Sequence, residues 1–177
     1  MSVARKPVIV RKLTRDWCAG YAAANPAGES EELELILSSG KLIRIAWDQI
    51  KWVCYVRELT GGESGGNDTV NPERLLRHRF TSRPRIDGLW LRLTLTDSDE
   101  IEGVAANDRS LVDGSGLLLT PPDTRSNTQR VFVPRSSIRE LTVLGVISPI
   151  SPARSQHSKT GPQPLLFDKE LFDKELE

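Results

Sequence analysis

The sequence predicts an all-β protein that contains two copies of one small unit. Apolar and polar residues alternate with a period of two, glycine-containing turns separate these runs, and residues 7–57 and 88–146 repeat the same order of runs and turns. Gly20 and Gly103 lie 83 positions apart, whereas Ile50 and Ile138 lie 88 apart, and a longer connection at residues 121–129 accounts for the difference. We therefore expect about five short strands in each copy.

The predicted strands and turns follow one another in the same way in both copies. The strands are rich in leucine and β-branched residues and lie at residues 8–10, 33–37, 42–45, 89–95 and 131–133. Turns are predicted at residues 26–28, 38–40 and 113–116, where glycine supplies backbone conformations that strain other residues. Each copy is thus expected to be a unit of short strands joined by tight turns.

The chain divides into four predicted parts: a first copy (1–59), a connector (60–86), a second copy (87–148) and a tail (149–177). Glycine predicts a flexible linker at residues 60–68, and Asn71 followed by Pro72 predicts the start of a short helix of about two turns. The polar, proline-containing tail is expected to be disordered. It ends in the pentapeptide LFDKE, present twice, which is either a docking segment for a protein partner or a solvated end.

Charge and cysteine content narrow the class of protein. The 24 basic and 24 acidic residues cancel, so no overall field attracts nucleic acid or a membrane surface, although a local basic patch remains compatible with binding. The N-terminal residues resemble neither a secretion signal nor a membrane span. Cys18 and Cys54 lie in apolar strand patterns and are expected to be buried free thiols. These features predict a cytoplasmic protein.

Side chains with catalytic chemistry are sparse in the predicted strands. His78 and His157 fall in the connector and the tail, so neither copy supplies a histidine as base or metal ligand. The carboxylates of residues 97–102 are expected in a turn and, at Glu102, on the solvent side of a strand. We expect no enzymatic activity, no metal site and no cofactor.

The strand order resembles a known family. Residues 92–104 (RLTLTDSDEIEGV) carry an alternating strand, an aspartate-containing turn and a glycine-bearing strand, and residues 43–53 and 131–141 each suggest two short strands around a sharp turn. This order resembles the Sm-like fold, the bent barrel of spliceosomal Sm proteins and a bacterial RNA chaperone. The resemblance implies two tandem Sm-like barrels. Neither copy carries the family's lysine-histidine or arginine-glycine signature at the final turn, so the RNA-contacting residues of the family have no counterpart here.

Two arginine-containing segments are the candidate binding sites. The connector carries Arg77, Arg79 and Arg83, and the loop at residues 120–130 carries Arg125, Asn127 and Arg130. Planar guanidinium and amide donors suit phosphate groups or nucleobase edges. The alternative for the loop is a hairpin excursion whose polar side chains face water.

Part of the connector resembles a second family. Arg79 and Arg83 match the Arg-x-x-x-Arg half of the cyclic-di-GMP motif of PilZ domains, and Asp113 and Ser115 begin the other half, but Leu118 stands where that motif has glycine. The resemblance implies cyclic-dinucleotide binding. The alternative is a solvated basic face that contacts the acidic tail or the turn at residues 97–99.

The tryptophans Trp17, Trp47, Trp52 and Trp90 suit either base stacking or packing between the two copies, and we expect packing for most of them. The leading interpretation is a non-enzymatic regulatory or adaptor module that binds RNA through its arginines. A cyclic-dinucleotide sensor and a protein-interaction scaffold remain open alternatives. The sequence leaves the oligomeric state open.

Overall fold

The computed structural model describes residues 4–24, 31–59, 73–123 and 126–148. It confirms the all-β class, because ten strands within these ranges form a single antiparallel sheet, which does not close on itself in the described part of the chain. The strands are β1 (Arg5–Lys12), β2 (Trp17–Ala23), β3 (Glu32–Ile36), β4 (Leu42–Ala46), β5 (Ile50–Val56), β6 (Gly88–Leu95), β7 (Glu100–Ala105), β8 (Gly116–Thr120), β9 (Thr128–Pro134) and β10 (Ile138–Ile147). One-turn helices α1 (Arg74–Arg77) and α2 (Ser110–Asp113) and two 3₁₀ turns, Trp47–Gln49 and Arg135–Ser137, complete the described elements.

The strand order of the second half of the sheet repeats that of the first. The order is β10-β6-β7-β8-β9 followed by β5-β1-β2-β3-β4, so each half places its fifth strand beside its first. The β1–β2 and β6–β7 turns also match: Arg15 and Ser98, 83 positions apart, have φ values of 71° and 70°. The halves join where β5 pairs with β9. A fifth strand from one half therefore lies beside a fourth strand from the other.

Gly20 and Gly103 occupy equivalent places in the second strand of each half. A Cβ atom on Gly20 would lie 2.4 Å from the carbonyl oxygen of Ile36, and one on Gly103 would lie 2.8 Å from the Cβ of Leu119. Real Cβ atoms do not approach other atoms so closely. Glycine is needed here because the neighbouring strand crosses directly over it.

The two halves share their hydrophobic cores. All seven residues of β5 are buried, and Phe132 of β9 packs into the cluster formed mainly by the first half. In the other direction, Ile9, Trp52 and Cys54 pack into the cluster formed mainly by the second half. The buried hydroxyl of Ser137 donates to the carbonyl of Ile50 at 2.5 Å across the same junction. Strand pairing and side-chain packing thus hold the halves together.

Several local features differ from the sequence-based expectation. The connector helix has one turn instead of two, and the sequence pattern did not indicate α2, which ends at Asp113 where a turn was expected. Cys54 is buried as expected, whereas Cys18 is only partly buried. The predicted linker (60–68), the helix start at 71–72 and the predicted disordered tail lie outside the described residues. Within the described part of the chain, no helix has the length and apolarity needed to cross a membrane.

The tryptophans mainly pack within the protein. Trp52 is fully buried. Trp47 meets Phe132 of the other half edge to face, with ring centroids 5.5 Å apart. Trp90 meets Phe80 of the connector in the same way at 5.9 Å. Trp47 and Trp52 thus pack between the two halves as expected, whereas Trp90 packs against the connector.

Candidate anion-binding cleft

The connector forms one wall of an open cleft of about 570 Å³. Its residues 78–86 lie along this wall, and Pro122 and Asp123, which follow β8, contribute on the other side. The side chains that could recognise a ligand are three arginines, one histidine, one phenylalanine and two hydroxyls: Arg79, Arg83, Arg85, His78, Phe80, Thr81 and Ser82. The volume falls in the range of about 300–1,000 Å³ that is typical of ligand pockets.

Arg79 is mainly committed to holding the connector against the sheet. Its guanidinium donates to the carbonyl oxygens of Leu76 at 3.4 Å and Glu100 at 3.2 Å. It also lies 3.6 Å from the Glu100 carboxylate and 3.8 Å from that of Glu102. The buried Glu102 carboxylate accepts a hydrogen bond from Nε1 of Trp90 at 2.7 Å. The expectation of a solvent-facing Glu102 was therefore wrong, because the connector covers this part of β7.

Arg83 and Arg85 keep most of their donors available to a ligand. Both residues are exposed. Arg83 donates one hydrogen bond, from Nη2 to the carbonyl of Val146 at 2.8 Å, which fixes the connector to β10. Among the described residues Arg85 has neither a hydrogen bond nor an ion pair with the rest of the protein. Phe80 is half-buried beside them and offers part of its ring to the cleft.

Three of the remaining predicted site residues, Arg77, Asn127 and Arg130, do not line this cleft. Arg77 is exposed on α1 and Arg130 is exposed on β9, while Arg125 lies outside the described residues. Asn127 closes the junction between the halves: its Oδ1 accepts from the backbone nitrogen of Arg57 at 3.1 Å, and its Nδ2 donates to the carbonyl of Glu58 at 2.8 Å. The structure thus brings together Arg79 and Arg83 and separates them from Asn127 and Arg130.

The residues that begin the second half of the cyclic-di-GMP motif lie at the end of α2 and just after it. Asp113 pairs with the guanidinium of Arg109, and the carbonyl of Ser115 accepts a hydrogen bond from the backbone nitrogen of Arg135 at 2.8 Å. Asp113 and Ser115 are not among the described residues that line the cleft.

The sequence did not single out the most buried cation of the structure. Lys51 on β5 is 3% exposed, and its ammonium group pairs with the carboxylates of Asp97 and Asp99 in the β6–β7 turn. Burial opposes ionisation of Asp97, but hydrogen bonds from Lys51 and from the backbone of Asp99, with the attraction of the Lys51 charge, outweigh it and lower the pKa of Asp97. The sequence did contain a signal for this buried cation, because Lys51 is the one charged residue in the otherwise apolar run IKWVCYV.

Fold and cleft together define an all-β protein with a basic cleft between its connector and the second half of its sheet. In the described residues, no group of three or more histidine, cysteine, aspartate or glutamate side chains could hold a metal ion. The chain belongs to DUF6982, a family of unknown function, whose profile matches residues 4–145. No curated protein and no solved structure matches the chain.

Proposed function

We propose that this protein is a non-enzymatic regulatory or adaptor module that binds single-stranded RNA in the connector cleft. The observation that carries the proposal is the pair of exposed arginines, Arg83 and Arg85, on one wall of an open cleft that also presents Phe80. Guanidinium groups pair with phosphate oxygens, and an aromatic side chain offers a surface for a base. Arg77, exposed on the helix that leads into the cleft, extends the basic surface.

The openness of the cleft favours a polymer over a cyclic dinucleotide. A small ligand is held by burying about 70–90% of its surface. An open cleft leaves part of its ligand exposed to water. An RNA strand that crosses the cleft can bind in this way, whereas a compact ligand needs most of its surface buried. Arg79, needed for the cyclic-dinucleotide motif, is engaged with β7.

The architecture belongs to the same proposal. We interpret the two halves of the sheet as two Sm-like units in tandem, supported by the repeated strand order and by the matching turns at Arg15 and Ser98. The free thiols of Cys18 and Cys54 support a reducing, cytoplasmic location.

Fluorescence anisotropy with a short, mixed-sequence single-stranded RNA at two salt concentrations tests the proposal. Binding should weaken with salt, with a slope of about −0.7 in log K against log salt for each neutralised phosphate. The Arg85→Ala variant should weaken binding and make the slope shallower by about that amount. Arg109→Ala is the matched control, because it removes one positive charge just before α2, and Arg109 is 90% exposed and is not among the cleft residues.

Cyclic-di-GMP as competitor separates the two nucleotide hypotheses. Displacement of the RNA by cyclic-di-GMP, with loss of that competition in Arg83→Ala, would favour the sensor interpretation. Flat titrations for both ligands, or equal loss of RNA binding in Arg85→Ala and Arg109→Ala, would contradict the cleft as the binding site.

A further inference from the structure

Three exposed apolar side chains form a strip along β10. Leu141, Val143 and Val146 are 36%, 51% and 55% exposed. Each lies opposite a leucine of β6, and these partners are Leu93, Leu91 and Leu89. Because directly paired residues of antiparallel strands project to the same side of the sheet, the three side chains share one face. We call Leu141, Val143 and Val146 the β10 strip.

The equivalent side chains of the first half are covered. Val53 and Tyr55 of β5 occur 88 positions before Leu141 and Val143, and they are 0% and 4% exposed. β9 pairs along the outer side of β5. β10 is an end strand, and no other described strand lies along its outer side. Among the residues that the structure describes, the β10 strip therefore lacks the cover that its counterpart has.

The chain continues past β10 with a segment that can reach this strip. Residues 149–177 follow the last described residue, Ser148, and they carry LFDKE at 166–170 and again at 171–175. Leu166 comes 18 positions after Ser148, and at about 3.3–3.6 Å per residue that length of chain spans up to roughly 60 Å. The strip, five positions long, measures only about 17 Å. Either copy of LFDKE is thus within reach of the whole β10 strip.

The composition of this segment suits an apolar surface with positive charge around it. The two copies of LFDKE supply four large apolar side chains, which are Leu166, Phe167, Leu171 and Phe172. Residues 166–177 also contain five carboxylate side chains and two lysines, a net side-chain charge of −3. The segment therefore offers apolar contacts and an excess of carboxylates in the same short stretch.

Arginines border the β10 strip at both ends. Arg139 is exposed and lies two residues before Leu141. Arg83, also exposed, donates from Nη2 to the carbonyl oxygen of Val146 at 2.8 Å. Glu140, the acidic residue of β10, directly precedes Leu141 and so points to the other face of the strand. The surface around the strip is thus complementary in charge to an acidic segment.

We propose that residues 166–175 of the same chain dock on the β10 strip. Phe167 or Phe172 packs against Val143, and the carboxylates that follow it lie beside Arg139 or Arg83. Contact within one chain is favoured because a covalent connection raises the concentration of the segment at the strip, and the two copies of LFDKE give two ways to fill it. The proposal does not depend on RNA binding, so the failure of either one leaves the other intact.

Photo-crosslinking of the full chain tests the proposal. Phe167 is replaced by p-benzoylphenylalanine, an aromatic residue that bonds to a neighbouring C–H group on irradiation, and a second protein carries this residue in place of Phe172. Mass spectrometry of the digested protein then locates the partner, which should fall within residues 141–146. Irradiating an equal mixture of unlabelled and heavy-nitrogen-labelled chains separates cross-links within one chain, whose two peptides carry the same label, from cross-links between chains.

Substitutions in the strip supply the matched comparison. Val143→Asp places a carboxylate where an acidic segment should dock, so it should reduce the cross-linked fraction by about fivefold or more, the equivalent of about 1 kcal/mol. Val146→Asp is a second, independent variant. Both positions are exposed, so both variants should remain folded, which circular dichroism verifies. Val112→Asp is the control, because Val112 is 80% exposed on α2, and it should leave the cross-linked fraction unchanged.

The pattern of cross-links decides the outcome. Cross-links within one chain to residues 141–146, reduced by Val143→Asp and Val146→Asp but not by Val112→Asp, would support the proposal. Cross-links that fall elsewhere, that are absent from both positions, or that persist in the two strip variants would overturn it. Cross-links that join two chains would also overturn it, because they would assign the strip to a second copy.

Discussion

Replacement of Lys51 by methionine should destabilise the fold, because Lys51 supplies the charge that joins β5 to the β6–β7 turn. The side chain is 3% exposed, pairs with Asp97 and Asp99, and lies 4.8 Å from the ring centroid of Trp52. Removing one member of a buried ion pair costs about 3–5 kcal/mol. The two carboxylates are 29% and 38% exposed, so water compensates part of the loss. We expect a decrease of about 2–3 kcal/mol in the free energy of unfolding.

The order of destabilisation among related variants is the sharper expectation. Asp97→Asn together with Asp99→Asn should cost more than Lys51→Met, because it leaves a buried ammonium without a counter-charge, whereas Lys51→Met leaves carboxylates that reach water. Combining all three substitutions should recover part of the stability, since no charge then remains unpaired. Urea unfolding at neutral pH, compared at equal m values, measures these differences. Lys51→Met within about 0.5 kcal/mol of the wild type would refute the reasoning.

The ion pairs of Lys51 with Asp97 and Asp99 should make the free energy of unfolding depend on pH. The pKa of Asp97 is lowered in the folded state from its ordinary value of 3.8. A lowered carboxyl pKa stabilises the fold above the unfolded-state value, and that stabilisation is lost as the pH falls through the folded-state value. The difference in unfolding free energy between wild type and Lys51→Met should therefore be largest at neutral pH and should decrease below about pH 3.8. A difference that widens on acidification would contradict this sign.

Three further expectations follow from single contacts. Arg79→Ala should lower the unfolding free energy by about 2 kcal/mol, because it leaves the buried Glu102 carboxylate without its cation. Glu102→Gln in that background should restore part of the loss, because a neutral amide needs no cation. Urea unfolding of both variants measures these differences. Burial raises the pKa of the Cys54 thiol to about 12, so it should react with a disulfide reagent at pH 8 only when urea unfolds the chain. Gly20→Ala should cost about 2–3 kcal/mol in thermal unfolding, whereas Gly145→Ala, whose Cβ would lie 3.7 Å from the Trp90 ring, should cost much less.

The regular part of this fold was predictable because its cause is local. Each strand buries one face, so apolar residues recur with a period of two, and a tight turn reverses the chain between strands. The equivalence of Gly20 with Gly103 was visible for a similar reason, since both permit the next strand to cross closely. The short helix α2 was not predictable, because its sequence SLVD has too few residues to show a helical period.

The sequence indicated the connector arginines that line the candidate cleft, but not the contacts that each arginine makes. The arginine-rich connector does line the cleft, yet a sequence shows which donors exist and not which acceptors they meet. Arg79 is engaged because Glu102 is buried beneath the connector, and Asn127 is engaged because it closes the β5–β9 junction. Each of these contacts joins residues that are far apart in the sequence, so no local sequence pattern predicts it.

The difference between β5 and β10 connects the sequence to the fold. The two strands are repeats of one element, IKWVCYV and IRELTVL, yet the first is buried throughout and the second is mostly exposed. β5 is central and covered on both faces. This explains why its positions 52 and 54 hold the apolar residues Trp52 and Cys54, whereas the equivalent positions of β10 hold Glu140 and Thr142. β10 is an end strand, and it keeps polar residues on one face and apolar Leu141 and Val143 on the other.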